Sequence, residues 1–298
     1  MEERPLTAEE RAEIGDLIER VRARTGLAPI SGRVRLQLEA IGGAIATRRD
    51  GGRLVAMAAV TGAPRDRRLA VAVDEDLDLA ELGGPLVRDL LGGHAERLTW
   101  WVEGATDEHA ALADALGMTS TRELLQLRRP LPVGEPWDLD VRAFRRGLDD
   151  RAWLEVNNRA FEGHPDQSGW QLHDLHARMA EPWFDPKGFL LHERDGRLAG
   201  FCWTKVHADT DPPLGEIYVI AVDPDFHGTG LGRPLTLAGL DHLARRGIEH
   251  GMLYVEHDNV AARHVYEDLG FAPHHRDRQY ELAERQDVPP TPTAEPMT

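Results

Sequence analysis

Apolar positions along the chain switch repeatedly between a helical spacing of three to four residues and the short continuous or alternating runs of strands. In the first half, helical spacing covers about 7–24 and 31–42, and apolar runs mark strands at Leu54–Val60 and Leu69–Val73. A helix near 83–92, a strand Leu98–Glu103, a helix near 107–116 and a strand near Glu123–Arg128 follow. The second half has the same order: strand Val141–Phe144, helices near 148–161 and 170–181, and strands Phe189–Glu193, Leu198–Lys205 and Glu216–Val222. A helix near 231–246, strand Met252–Glu256, a helix near 260–269 and strand Gln279–Leu282 complete it. Such alternation predicts an α/β protein of two domains, 1–130 and 138–284. The stretch Pro130-Leu-Pro-Val-Gly-Glu-Pro136, rich in breakers of both periods, reads as the linker, and 285–298 as a disordered tail.

Residue matches turn the repeated order into an internal repeat. Trp101-Val-Glu103 aligns with Tyr254-Val-Glu256, and Leu116-Gly-Met118 with Leu269-Gly-Phe271, both at a shift of 153. Ala72-Val-Asp74 aligns with Ala221-Val-Asp223, and Leu82-Gly-Gly-Pro-Leu86 with Leu231-Gly-Arg-Pro-Leu235, at a shift of 149. The difference of four falls between a helix and a strand, where loops absorb length changes. Two copies of one fold explain both shifts.

A net charge of −16 argues against a nucleic-acid partner, and no stretch approaches the length of apolar residues that a membrane span needs. The first residues lack the basic and apolar regions of a secretory signal, so the expected compartment is the cytoplasm. The single cysteine, Cys202, excludes an internal disulfide and, within Phe201-Cys-Trp203, reads as a buried strand position. The sequence leaves the oligomeric state open, a monomer included. His173-x-x-His176 lacks the spacing and third ligand of a metal site, so surface histidines and no metal are expected.

The candidate chemistry begins at Asp225-Phe-His-Gly-Thr-Gly-Leu-Gly-Arg233, between the strand ending Val219-Ile-Ala-Val-Asp-Pro224 and a helix. Glycines let successive amides turn inward as an anion nest, and the helix N-terminus adds partial positive charge. Alone this is a weak signal, compatible with a plain strand–helix turn. With its surroundings, it resembles the GNAT family of N-acetyltransferases, whose loop reads Arg/Gln-x-x-Gly-x-Gly/Ala; His227 stands here for the Arg or Gln. Leu253-Tyr-Val-Glu-His-Asp-Asn-Val-Ala-Ala-Arg-His-Val-Tyr-Glu-Asp-Leu-Gly-Phe271 resembles a second family element. The resemblance implies two tandem GNAT domains, each a mixed central sheet flanked by helices, and acetyl-CoA as co-substrate. It also implies acetyl-CoA contacts at Ile220, Ala221, Val222, His227, Gly228, Thr229, Gly230, Leu231, Gly232 and Arg233, and along the arm-binding helix at Asn259, Val260, Ala261, Ala262, Arg263 and His264. Asn259 also fits a plain helix N-cap.

Acetyl transfer from a thioester requires a neutral amine, a polarised carbonyl and a protonated leaving thiolate. The family polarises the carbonyl with a backbone amide beside a splayed strand, here in the Val219–Val222 region. Glu216, on the strand entering the loop, is the expected general base and amine anchor, against a solvated strand charge as the alternative. Tyr266, beside the stripe Ala261, Val265 and Leu269, is the expected acid, against a core-edge aromatic.

The first copy provides an internal control. At the shift of 149, His227-Gly-Thr-Gly230 becomes Asp78-Leu-Ala-Glu81 and Glu216 becomes Arg67; at 153, Tyr266 becomes Ala113. The first copy is therefore expected to be non-catalytic, although Val71-Ala-Val73 remains a candidate for a second pantetheine arm. A tandem pair with a degenerate first copy resembles the branch of the family that acetylates the cysteinyl amine of cysteinyl-glucosaminyl-inositol in mycothiol biosynthesis. The phrases Glu181-Pro-Trp-Phe-Asp-Pro186, Phe201-Cys-Trp-Thr-Lys-Val-His207 and Leu214-Gly-Glu-Ile-Tyr-Val-Ile-Ala-Val-Asp-Pro224 carry that resemblance. It implies a small-molecule amine substrate, held by Lys205, Glu216, Tyr254 and Asp174. A glutamate the family places after Ala-Pro-Val/Ile-Ser is absent, since Gly32 follows Ala28-Pro-Ile-Ser31. Lys205 and Asp174 also fit solvated charges. Another amine (an aminoglycoside, polyamine or peptide N-terminus) and a CoA-sensing module without turnover are the competing functions.

Overall fold

The computed structural model describes residues 4–64, 66–74, 76–92 and 97–283; the tail expected at 285–298 lies outside the described residues. The first half forms α1 (Ala8–Thr25), α2 (Gly32–Ala40), β1 (Ala44–Asp50), β2 (Arg53–Thr61), β3 (Arg67–Val73), α3 (Leu79–Leu91), β4 (Leu98–Val102), α4 (Asp107–Ala115) and β5 (Thr119–Pro130). The second forms β6 (Arg142–Ala143), α5 (Asp150–Ala160), α6 (Leu172–Met179), β7 (Phe189–Arg194), β8 (Arg197–His207) and β9 (Leu214–Val222). It continues through α7 (Gly232–Arg245), β10 (His250–Glu256), α8 (Val260–Asp268) and β11 (Ala272–Leu282). Hydrophobic spacing did not reveal β1, because Ile45-Ala-Thr-Arg-Arg-Asp50 carries its polar half into solvent.

The chain folds into two compact units, the second being Leu124–His275 and the first the residues up to Glu123 together with the segment from Arg276. This corrects the boundaries read from the proline-rich stretch. In the second unit, Leu124–Pro130 of β5 pairs antiparallel with β10, from Leu124 opposite Glu256 to Pro130 opposite His250. In the first, Arg278–Leu282 of β11 pairs antiparallel with β4. The expected linker is part of the second unit, since Leu131, Val133, Trp137, Leu139 and Val141 pack on its core. Prolines signal where regular periods stop, not where a core ends, and spacing along a strand does not name its neighbour.

The first unit orders its strands β1-β2-β3-β4-β11 and the second β5-β10-β9-β8-β7-β6. Each sheet is mixed, with one parallel pair in its middle: β3 with β4, and β9 with β10. In the second unit one face carries the aliphatic core under α7 and α8, including Ile217, Leu235, Leu240, Leu253 and Tyr266. The other carries Trp153, Phe189, Phe201, Trp203 and Val219 with α5 and α6. Helix α7 approaches its sheet closely at Gly239, where an added Cβ would meet Cys202 Sγ at 2.4 Å. Cys202 is fully buried, as expected, and burial pushes its thiol up to about 12.

Candidate active site

Two adjacent parallel strands separate in the second unit just where the loop chemistry begins. β9 and β10 pair only from Leu214 opposite His250 to Ile217 opposite Leu253. At the same level the ladder between β8 and β9 slips, from Trp203 opposite Val219 to Thr204 opposite Ile217, which leaves Tyr218 as an extra residue. A bulge increases twist and redirects the strand that carries it. Beyond the slip β9 stays on β8, with Cys202 opposite Ile220 and Gly200 opposite Val222, and its pairing with β10 has ended. Ile220, Ala221 and Val222 are accordingly half-buried rather than sealed.

The strand delivers the chain to a loop held firmly at its base. Asp223 is buried and receives Arg159 at 3.1 Å, and Asp225 receives Arg159 at 2.9 Å and Arg197 at 2.6 Å. The His227 ring reaches back to the Val222 carbonyl, 3.0 Å from Nε2, so the residue that departs from the family pattern ties the loop to the end of β9. Gly228 and Gly230 have φ of 73° and 80°, in the left-handed region that glycine enters without strain. Leu231 precedes the first turn of α7 and no side chain caps it. First-turn amides have no acceptor within a helix, and Pro234 in that turn offers no amide at all. The Thr229 amide donates to the Phe226 carbonyl at 3.4 Å, and the other amides of the loop and first turn fit a diphosphate, so the residues present suit acetyl-CoA. Arg233 is already engaged, bidentate with Glu135 at 3.0 and 2.7 Å.

On α8, Asn259 accepts from the Ala262 amide at 3.1 Å and caps the helix. Val260 is exposed, and Arg263 donates to the His257 carbonyl at 3.0 Å. Tyr266 is the buried residue of this helix, further inside than its stripe suggested, with Phe271 at 5.8 Å. Burial, with a smaller contribution from Cys202, pushes its phenol above the ordinary range. The ring therefore stays protonated at neutral pH and holds its proton more tightly than a free phenol.

Glu216 is 7% exposed, on a strand flanked by β8 and β10, so the solvated-charge alternative does not hold. His207 Nε2 lies 2.7 Å from Glu216 Oε2. Sequence reasoning quoted His207 without giving it a role. Its signal was the strand pairing: Lys205 faces Glu216, and two residues on His207 lies on the same face. Lys205 Nζ stands over the rings of Trp183 and Tyr218, at 5.1 and 5.7 Å. Tyr254 is 39% exposed and its phenol oxygen accepts from Gln126 at 2.7 Å. Asp174 accepts from the Gln171 amide at 2.9 Å and caps α6. His176 is not a plain surface histidine, since it pairs with buried Asp150 at 2.7 Å. Among the described residues no cluster of metal-binding type is present.

Comparison with known proteins places this geometry. Residues 142–271 match the model of the Acetyltransferase (GNAT) family. A mycothiol acetyltransferase from Thermomonospora curvata is 51% identical over 205 residues, 67% of this chain and 68% of the relative. One from Parafrankia sp. is 40% identical over 309 residues, 93% of this chain and 96% of the relative. The chain belongs to the mycothiol acetyltransferase family. Members of this family are N-acetyltransferases that use acetyl-CoA and a small-molecule acceptor. Solved structures support the tandem fold: a GCN5-related N-acetyltransferase from Sphaerobacter thermophilus superposes with a TM-score of 0.68 at 20% identity, covering 94% of each chain. A tandem GNAT protein from the clavulanic acid biosynthesis pathway gives 0.63 at 20% identity, covering 95% of this chain and 98% of that one. No helix among the described residues is long and apolar enough to cross a membrane.

In the first unit, the candidate pantetheine strand is sealed: Val71, Ala72 and Val73 are 3%, 1% and 8% exposed. The ladder between β2 and β3 runs from Ala56 opposite Val73 to Thr61 opposite Arg68 without a slip.

Proposed function

We propose that the second unit acetylates the cysteinyl amine of cysteinyl-glucosaminyl-inositol with acetyl-CoA, completing mycothiol. The observation that carries the reading is the separation of β9 from β10 beyond Ile217, with the bulge at Tyr218, the uncapped loop beyond and Glu216 at its base. The family name of its relatives supports the substrate. Acetyl-CoA is a metabolite of the cell interior, which supports the cytoplasm as the compartment.

The amides of Gly228 and of Gly230–Arg233 receive the diphosphate beside Thr229, Ile220–Val222 line the pantetheine arm and α8 from Asn259 to His264 borders it. A β9 amide in the opened segment polarises the thioester carbonyl. Glu216 takes a proton from the substrate ammonium, and the free amine attacks the carbonyl carbon. Bound by His207 through Oε2, the carboxylate has one fixed orientation and its other oxygen for the amine. As the carbon–sulfur bond breaks, the Tyr266 phenol gives its proton to the sulfur and takes one back from the newly acylated nitrogen, leaving a neutral amide and a free thiol, and the proton on Glu216 passes to solvent. Lys205 and Tyr254 flank Glu216 on the same sheet face and hold the acceptor; Asp174 orients it from α6.

The test is to incubate the purified chain with acetyl-CoA and a panel of amines, following the acetylated product by mass spectrometry because the acceptor carries its own thiol. Turnover with cysteinyl-glucosaminyl-inositol, lowered about 100-fold by Tyr266→Phe with acetyl-CoA affinity retained, is the expected result. Turnover only with a polyamine, an aminoglycoside or a peptide would replace the substrate. Binding of acetyl-CoA without turnover on any amine would indicate a sensor.

A further inference from the structure

The sheet face that carries Glu216 continues past Met252 to Arg128 and Gln126, two polar residues that have no part in the proposed acetyl transfer. Reading across strands, Lys205 faces Glu216, Glu216 lies beside Met252, and Met252 faces Arg128. Two residues along, Tyr254 faces Gln126. Leu125, Leu127, Ile217, Leu253 and Val255 turn into the opposite core under α7 and α8, so alternation leaves Gln126, Arg128 and Tyr254 on the side of Glu216.

Arg128 Nε donates to Gln126 Oε1 at 2.7 Å, and Gln126 Nε2 donates to the Tyr254 phenol oxygen at 2.7 Å. Arginine only donates, so the amide has one orientation, and Gln126, 4% exposed, locks both neighbours. Among the described residues no carboxylate pairs with Arg128, whose proton affinity burial lowers. A chain with a net charge of −16 thus keeps a half-buried guanidinium without an anion. Desolvating a cation without acceptors is costly, and a ligand that brings oxygen acceptors would offset the cost.

Spacing suggests which part of the acceptor this is. Neighbouring strands lie about 4.8 Å apart, so Arg128 is about 10 Å from Glu216 along the row. About seven bonds separate the cysteinyl amine of the proposed acceptor from its cyclitol ring, or about 9 Å at ordinary bond lengths. The guanidinium fork matches two adjacent oxygens.

Resting on the proposed acetyl transfer, we propose that Arg128, positioned by Gln126 beside Tyr254, forms a second acceptor subsite that binds vicinal hydroxyls of a polyhydroxylated ring. The subsite selects the length and far end of the acceptor, while Glu216 handles its amine.

The experiment compares Arg128→Met with the unaltered chain on two acceptors: the complete molecule and the same molecule without its cyclitol ring. The expected result is a KM about tenfold higher for the complete acceptor, little change for the shortened one and kcat within about twofold for both. An equal rise for both acceptors, or no rise, overturns the subsite and leaves the acetyl transfer standing. Failure of the unaltered chain to acetylate either acceptor overturns both. Inhibition by inorganic phosphate that vanishes in the variant would make the subsite an anion site and overturn the polyol assignment. Acetyl-CoA affinity reports folding, and should Arg128→Met lose it, Arg128→Lys, which keeps charge but lacks the fork, carries the comparison with a smaller rise of the same pattern.

Discussion

Helices α3 and α7 follow equivalent strands in the two units but start at different places. Adding 149 to Arg67–Val73 of β3 gives 216–222, within Leu214–Val222 of β9; adding it to Leu79, where α3 begins, gives 228, whereas α7 begins at Gly232. The first turn of α3 therefore occupies the positions of Gly228–Leu231. Asp78 caps that turn, accepting from the Glu81 amide at 2.7 Å, whereas no side chain caps α7. Meanwhile α4, Asp107–Ala115, shifted by 153, coincides with α8, Val260–Asp268. The anchoring aspartate is also kept, since Asp74 receives Arg20 at 3.2 Å and also Arg53, as Asp223 receives Arg159 at 3.1 Å. The two units thus share a scaffold, while in the first the turn of α3 fills the loop positions, Arg67 and Ala113 stand where the second has Glu216 and Tyr266, and the strand ladder has no slip.

Four changes test that contrast, in order of expected effect. Glu216→Gln removes the proposed base, at whose position the first unit has Arg67, and is expected to lower kcat/KM about 100- to 1000-fold, with acetyl-CoA affinity unchanged; steady-state kinetics beside calorimetric titration measures both.

The second concerns His109, at the α4 position equivalent to Ala262. Its Nδ1 accepts from the Thr106 amide at 3.3 Å, and burial lowers its pKa from 6.5 to about 4. The unfolded histidine takes a proton more readily than the folded one, so this stability is present above pH 6.5 and is lost as pH falls toward 4. The loss is on the order of 3 kcal/mol. Denaturation of the first unit, followed by fluorescence of Trp100, 5.9 Å from His109, should show it. His109→Gln should flatten the profile.

Third, replacing His227-Gly-Thr-Gly230 by Asp-Leu-Ala-Glu imports the first unit's turn. Gly228 and Gly230 use φ values that the new side chains resist, so the segment should wind into α7 and raise the acetyl-CoA Kd by about 30-fold or more. Fourth, His207→Ala frees the Glu216 carboxylate and is expected to lower kcat about tenfold with KM little changed; His207→Gln, which can still donate, should recover most of it.

The candidates for this site were legible in the sequence where their signals are local. The glycine loop and Tyr266 became candidates through the family resemblance and Glu216 through its place on the strand entering the loop, and comparing Asp78-Leu-Ala-Glu81 with the loop indicated which copy lacks the glycines. What stayed hidden depends on strands meeting. The His207–Glu216 bond follows from the pairing of β8 with β9, and the row ending at Arg128 from the register of β5 on β10. The partition of β5 and β11 between units escaped for the same reason: alternation fixes which face a residue takes, and says nothing of its neighbour. Tyr266 lay off the hydrophobic stripe, yet it is the buried residue of α8, because one large aromatic can fill the space beneath a short helix.

The claim that one unit binds and works while the other only keeps the shape is tested most directly by calorimetric titration of the full chain with acetyl-CoA. One site per chain is expected, abolished by the loop replacement at His227–Gly230. Two sites of similar affinity, or a site that survives that replacement, would contradict it.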